Sequence, residues 1–554
     1  MHYKMPIDKN SKKNKYKIEA AQSICFVSPE ESMKFISSNQ NSPIVGKARI
    51  IMFTLIAVLA MISLGWASDY YVATNGDDGN RGTINSPWRT IGKANAAVQP
   101  GDTVFIKAGT YHESIKPASS GAAGNPITYT NHKNDTVAIT GVYDGANLTN
   151  KSYIVLDGID IIDVSHNWVN IKGTQPSRNI IIKNCYMKTA KGWAGINALQ
   201  NSYLKILNNT LIGTCACSGT PCDNGGPADL LYLDGCSYSV IKGNDISGGD
   251  HVAVNFQSHN GASDYNVIAD NRIENRWHSN LSLYGDINYS LVEGNMILNA
   301  GEDAGTNWCG STRDRENFGR ENHRSIQFAS SNCIIRNNVF VNNGTMPFLD
   351  FEGYSVRSNR IYNNTYHLDY KANYMYAGSD NILKNNIYSE NRIYAIQGKT
   401  GNQIIKNNVY QSELMANGAT ISGNLSLPPE FVDPENYNFR LKQASPMINK
   451  ADWLTTIVSA SGAGNSFQVA DAAYFVDGSR GTIEGDTIQL EGGTNTIKII
   501  DISGNTITVD RNVSWAKGDG VSLPYSGSRP DLGAFESVNE ANLLPVPQNL
   551  RIIE

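Results

Sequence analysis

One phrase decides the fold: IIIKNCYM from Ile180, LKILNNTLI from Leu204, VIKGNDI from Val240, VIADNRI from Val267 and LVEGNMI from Leu291. It continues as IIRNNVF from Ile334, SVRSNRI from Ser355, ILKNNIY from Ile382 and IIKNNVY from Ile404, with a weaker copy, TISGNLS, from Thr420. Each copy is a short alternating apolar strand, a polar pair ending in Asn, and a second short strand. The Asn positions are 184, 209, 244, 271, 295, 338, 359, 386, 408 and 424, and most gaps are 21–27 residues. A period of this length with period-two alternation and no helical periodicity predicts one coil of a parallel β-helix per repeat. Leucine-rich repeats have similar periods but need a Leu frame that is absent. An Asn repeated at one turn can bond to its copies in the coils above and below, so the row reads as structural. The fold class is therefore all-β, a right-handed parallel β-helix of about 11–12 coils.

Two gaps break the period: 35 residues between Asn209 and Asn244, and 43 between Asn295 and Asn338. The extra residues form loops around Gly213–Ala228 and Gly301–Asn322. On a stacked scaffold such insertions mark the binding face.

The chain has 554 residues, ample for an elongated stack. With 18 % charged residues and 40 % hydrophobic ones it is globular rather than disordered. A net charge of −5 argues against a nucleic-acid-binding surface. Residues 1–46 are a polar, Lys-rich extension. Lys47 and Arg49 then precede an apolar run, Ile50–Leu64, followed by Gly65-Trp66-Ala67, and 47–67 reads as a secretory signal. The expected location is secreted or cell-surface, and the expected state a monomer. Seven of the eight cysteines lie beyond residue 67. In an exported chain the first reading is disulfides among Cys215, Cys217, Cys222, Cys236, Cys309 and Cys333, with the pairing open, and zinc is the second. An odd number leaves a free thiol, expected at Cys185.

The segment YYVATNGDDGNRGTINSPWRTIGKANAAVQPGDTVFIKAGTYHE, residues 70–113, resembles the opening of many exported β-helix proteins of the pectate lyase-like kind, including polysaccharide lyase families six and nine. The resemblance implies a capping helix, here Trp88–Val98, over the open end of the core. YNFRLKQASPMINKA from Tyr437 and RPDLGAFE from Arg529 resemble the two halves of the closing motif of such proteins. The implied organisation is a β-helix over 68–450, a small β-domain inserted at 453–527, a closing segment at 528–538 and a tail at 539–554. The implied partner is an extracellular polysaccharide, with no cofactor required by the residues and Ca²⁺ as a candidate. The chain carries neither the SDDGxD calcium motif of family nine, nor the paired-Asp motifs of polygalacturonases, nor the DPHD motif of alginate epimerases.

The third strand of each coil aligns on inward anchors Ile196, Leu231, Val254, Leu281, Ile326, Leu349 and Met375. Three residues before the anchor, successive coils carry His251, His278 and His323, an outward column spanning roughly 10 Å. Histidine titrates near neutral pH and can take a proton, so these three with Tyr284 are the catalytic candidates; metal binding and a plain hydrogen-bonding ladder are the alternatives. The next outward columns hold Tyr232, Asn255, Ser282, Gln327 and Asp350, then Asp234, Gln257, Tyr284, Ala329 and Glu352. Arg313, Arg315, Arg320 and Arg324 are candidates for uronate carboxylates, which guanidinium recognises with paired hydrogen bonds. Trp277 and Trp308 are candidates for stacking on sugar. The functional expectation is a lyase-like enzyme acting on a uronate-containing polysaccharide. The alternatives are a non-catalytic glycan-binding or adhesin-like surface protein, and a glycoside hydrolase pairing Asp234 with Asp350 or Glu352.

Overall fold

The computed structural model describes residues 67–173, 175–213, 229–249, 251–275, 279–285, 287–300, 324–348, 356–375, 378–391, 394–399, 404–406, 408–410, 413–417, 419–479 and 481–537. The chain coils through three parallel sheets. The first has 14 strands, from Asp69–Val72 to Thr420–Ser422, the second 12, from Gly109–Tyr111 to Val409–Tyr410, and the third 11, from Ala146–Asn147 to Glu413–Asn417. One coil runs Val240–Lys242, Asp245–Ser247, Val252–Gln257, and the next returns to the first sheet at Val267–Ala269.

Because the register is straight, each inward residue stacks on its copy. In the first sheet Ile206, Ile241, Ile268, Val292 and Ile335 form one such column, all inaccessible to solvent. Burying each contributes about 1.5–3 kcal/mol relative to exposure, so the alternating apolar strands hold the coil closed.

The Asn row forms as a hydrogen-bonded ladder. The backbone N–H of each member donates to Oδ1 of the next at 2.8–3.0 Å through Asn209, Asn244, Asn271, Asn295, Asn338, Asn364, Asn386, Asn408 and Asn424. The residue before the ladder Asn turns the corner with positive φ: Asn208, Gly243, Asp270, Gly294, Asn337, Asn363 and Asn385 do so. Two positions differ from the sequence reading. Asn184 is itself a corner residue with φ 54°, and Cys185 stands in the ladder place, donating its N–H to Asn209 Oδ1 at 2.9 Å. Asn359 belongs to a separate ladder at another turn, where it accepts from the Cys333 N–H and donates its own to Asn381 Oδ1.

Cys236 and Cys333, expected in disulfides, are buried and form none, and Cys185 is likewise a buried thiol. All three sit where a coil corner is satisfied by the next coil's side chain, so they act as small apolar fillers. Burial pushes the Cys185 and Cys236 thiols up to about 12. Cys215, Cys217, Cys222 and Cys309 lie outside the described residues.

The capping helix is Ile91–Ala97, shorter than the sequence suggests. Thr90 Oγ1 caps it by accepting from the Lys93 N–H at 3.0 Å, and Ile91 and Ala94 bury against the first coil. Trp88 is excluded from the helix because its backbone pairs with the first strand: its N–H donates to Tyr71 O and its carbonyl accepts from the Ala73 N–H.

Residues 455–522 contain a six-stranded antiparallel sheet, in spatial order Thr455–Thr456, Gly520–Ser522, Thr487–Leu490, Thr496–Ser503, Thr506–Trp515, Gly462–Gln468. The segments flanking it rejoin: the Asn449 N–H donates to Asp531 Oδ1 at 2.6 Å, and Asn449 Oδ1 accepts from the Ser528 and Arg529 N–H groups. The inserted sheet packs on the first sheet of the β-helix, burying Phe475, Val476 and Ile488 against Val267, Leu291 and Ile334. At its centre the buried Arg336 forms a two-pronged bond to Asp486 at 2.6 and 2.7 Å and a third to Glu293 at 3.0 Å.

One ladder position carries an acid. Asp369 Oδ1 accepts from the Asn343 N–H and the Asp369 N–H donates to Asn391 Oδ1, but its Oδ2 is buried without a partner. Burial raises the carboxyl to about 8. A raised acid is protonated at no cost at low pH, and its ionisation penalises folding as pH climbs from its unfolded value near 4 toward 8. Asp369→Asn supplies the amide that the neighbouring positions carry. It is expected to stabilise the fold by about 1–3 kcal/mol at pH 8, with the gain shrinking toward pH 4. Thermal melts of both proteins across that range check this; a gain that is flat with pH would show that Asp369 is not the titrating group.

Candidate functional site

The third sheet is longer-stranded than the others and carries the polar strip. Its register places Ile196, Leu231, Val254, Leu281 and Ile326 in one inward row, all fully buried. By alternation the neighbouring outward row is Asn197, Tyr232, Asn255, Ser282 and Gln327, and the next is Leu199, Asp234, Gln257, Tyr284 and Ala329.

Beyond Ile326 the register departs from the sequence alignment. Phe328 pairs with Phe348, which in turn pairs with Met375, so Met346 rather than Leu349 follows Ile326. The Asn343 N–H is fixed by Asp369 just before the strand Thr345–Phe348, so that strand begins earlier than an alignment on Leu349 requires. Asp350 and Glu352 lie outside the described residues, as do His278, His323, Trp277, Trp308, Arg313, Arg315 and Arg320.

His251 is built on a buried acid. Asp229, with no exposed side-chain surface, comes from the coil before and accepts from His251 Nδ1 at 2.9 Å, while the His251 side chain is 51 % exposed. The same carboxylate accepts from the Val252 N–H at 3.0 Å and from Asn255 Nδ2 at 2.8 Å, and Gln257 Nε2 donates to Asn255 Oδ1 at 2.6 Å. A carboxylate at Nδ1 places the ring proton there, so the ring's lone pair is on Nε2.

The arrangement occurs twice. Asp144 accepts from His166 Nδ1 at 2.8 Å, from the Asn167 N–H at 3.1 Å and from Asn170 Nδ2 at 3.3 Å. The spacing is identical, with His following Asp by 22 residues and Asn by 26 in both units. His166 was missed by the sequence reading because that reading began its alignment at Ile196, one coil too late; the repeated Asp–His–Asn spacing was the available signal. Extending the column toward the N-terminus gives Tyr143, His166 and Trp193, each three residues before Ala146, Val169 and Ile196. Tyr143 stacks on His166 with centroids 4.4 Å apart, and Trp193 meets Tyr232 edge-on at 4.5 Å. Tyr143 and Trp193 are 64 % and 54 % exposed.

Other strip residues divide by environment. Asp234 is buried and saturated, accepting from the Asn260 N–H and Nδ2 and from the Tyr232 hydroxyl. Burial and the Asp234 carboxylate hold the Tyr232 phenol above its ordinary value, so it stays protonated. Tyr284 is half-buried against the core. Arg324 is largely buried, and its Nε has no hydrogen-bond partner. Burial pushes its guanidinium down from the ordinary value, with nearby Tyr284 opposing. Among the described residues no group of three His, Cys, Asp or Glu side chains is placed to hold a metal ion.

The coil period, the Asn ladder and the capped first coil agree with a family comparison that matches residues 70–271 to the Pel9A-like, right-handed β-helix region. The matched residues include both Asp–His–Asn units. The uncharacterised protein YwoF of Bacillus subtilis (strain 168) is 45 % identical over 76 residues, 14 % of this chain and 16 % of that protein. Among solved structures, pectate lyase Pel9A is 16 % identical over 85 % of this chain and 97 % of its own, with a TM-score of 0.46. The complex of XylC with xylose is 12 % identical over 82 % and 99 %, with a TM-score of 0.41. These are likenesses of fold.

Proposed function

We propose that the protein is an extracellular carbohydrate-active enzyme that cleaves a uronate-containing polysaccharide by β-elimination on the outward face of the third sheet. The Asp229–His251 pair carries this reading: a half-exposed imidazole, oriented by a wholly buried carboxylate, on a polar strip running along the helix axis. His251 Nε2 takes the proton from C5 of a uronate. The C–H electrons form the C4–C5 double bond, the C4–O bond breaks, and the departing oxygen takes a proton from water. Asp229 stabilises the imidazolium that forms, and Asn255 holds Asp229 in place.

The uronate class is favoured by Arg324. Its guanidinium is partly buried near Tyr284, an outward residue of the strip, and a ligand carboxylate would offset the burial of its charge. It stands two coils above His251, roughly 10 Å away, and so serves a neighbouring sugar rather than the one deprotonated. Arg324→Gln is expected to raise KM for an acidic polymer by about 10-fold or more with a smaller change in kcat, and to leave the melting temperature unchanged or higher, since a buried charge is removed. Equal kcat and KM on both proteins would remove Arg324 from the strip.

Incubation with pectate, alginate and glycosaminoglycans, with and without Ca²⁺, tests the reaction by the ultraviolet absorbance of unsaturated uronate. Product on one of them supports elimination; none on any polyanion overturns it. A second reading, a glycan-binding surface without turnover, is favoured by the exposed rings of Tyr143 and Trp193 in the same column. The paired-carboxylate hydrolase is not favoured, because Asp234 is buried under three donors.

A further inference from the structure

The corner between the third and first sheets repeats with one backbone geometry. At this place each residue's N–H donates to the carbonyl preceding its counterpart in the next coil, through Tyr153, Asn179, Tyr203, Tyr238, Tyr265, Tyr289, Asn332 and Ser358. All have positive φ, between 53° and 61°. Asn tolerates this left-handed conformation; for a bulky residue it costs about 1–2 kcal/mol. Four consecutive tyrosines, 203 to 289, therefore oppose the local preference that Asn179 and Asn332 obey on either side.

Stacking offsets part of the cost. The four rings lie nearly parallel with centroids 5.0–5.1 Å apart. The run also coincides with a groove: all four tyrosines, and neither flanking Asn, line a space of about 650 Å³ between this corner and the inserted sheet. If the ladder only docked that sheet, side chains would fill the space. Tyr153 shares this backbone at the same corner without lining the groove, so the run of four rings beside an open space, rather than the strain, marks a ligand site.

The chemistry of the walls indicates the ligand. The rings cover one another's faces, so edges and hydroxyls repeat along the groove about once per coil. The opposite wall supplies Asn505 and Asp477. Asp477 is the one charged group among the described lining residues, and its carboxylate already accepts from the Ser479 and Ile502 N–H groups. No described lining residue is a cation that would meet a uronate. We infer that this groove binds a linear neutral polysaccharide along the helix axis, separately from the acidic strip.

Affinity electrophoresis in gels containing xylan, glucomannan or hydroxyethyl cellulose tests this on the full chain. The wild type is expected to be retarded by at least one of them. Tyr238→Asn with Tyr265→Asn, which suits the backbone but removes two rings, should weaken binding by about 10-fold or more without lowering the melting temperature. Tyr238→Phe with Tyr265→Phe, which keeps the stack, should weaken it too, while Arg324→Gln should not. No retardation in any neutral polymer, retardation in polyuronate gels alone, or unchanged retardation of both double variants overturns the inference.

Discussion

His251→Ala is expected to lower turnover of an acidic polysaccharide by about 100-fold or more, the usual consequence of losing a positioned base. The melting temperature should hardly move, because the side chain is half-exposed and fills no core. Asp229→Asn should also lose activity, but through orientation: the amide can donate to Nδ1 and strand the proton on Nε2. Its signature is a changed pH profile with KM little altered. Activity that survives both replacements would remove this pair from the reaction. A His251→Ala protein that fails to fold would show that the outward face has been misassigned.

The largest stability effect is expected at Asp486. Arg336 lies wholly buried beneath the inserted sheet, bound to Asp486, Glu293 and the Tyr362 hydroxyl. Although burial opposes its charge, Asp486 and Glu293 hold the guanidinium well above its ordinary value. Burial outweighs Arg336 at Glu293 and raises that carboxyl. Asp486→Ala leaves the cation under-neutralised and removes the acceptor for the Val476 N–H, so a loss of about 3–5 kcal/mol is expected in urea unfolding. The double variant Arg336→Met, Asp486→Leu removes both charges and should recover most of it. A single variant as stable as the wild type would mean that the inserted sheet is held by its apolar contacts alone.

The coil was legible because its signal is redundant: inward apolar columns and ladder asparagines repeat many times, so misreading one copy leaves the period intact. Asn184 and Asn359 were misread because a corner residue with positive φ and a ladder residue are both commonly Asn, and sequence spacing alone does not separate the roles. The outward rows from Tyr232 to Ala329 follow from one correct anchor and the alternation of strands. The error at Leu349 arose where a turn, not a strand pattern, sets the register. The cysteines misled because export suggests disulfides, whereas Cys236 and Cys333 occupy corner positions that a small apolar side chain fills. Asp229 and Asp144 went unnoticed because their role depends on the next coil. Contacts between coils have no local sequence signature unless they recur, as the Asp–His–Asn spacing does.

A crystal structure with a bound oligouronate tests the central claim most directly. The account predicts a saccharide lying along the third sheet over Tyr232, Asn255 and Gln327, with C5 of one unit within reach of His251 Nε2 and the carboxylate of a neighbouring unit on Arg324. An oligouronate bound elsewhere, with His251 and Arg324 untouched, would contradict it.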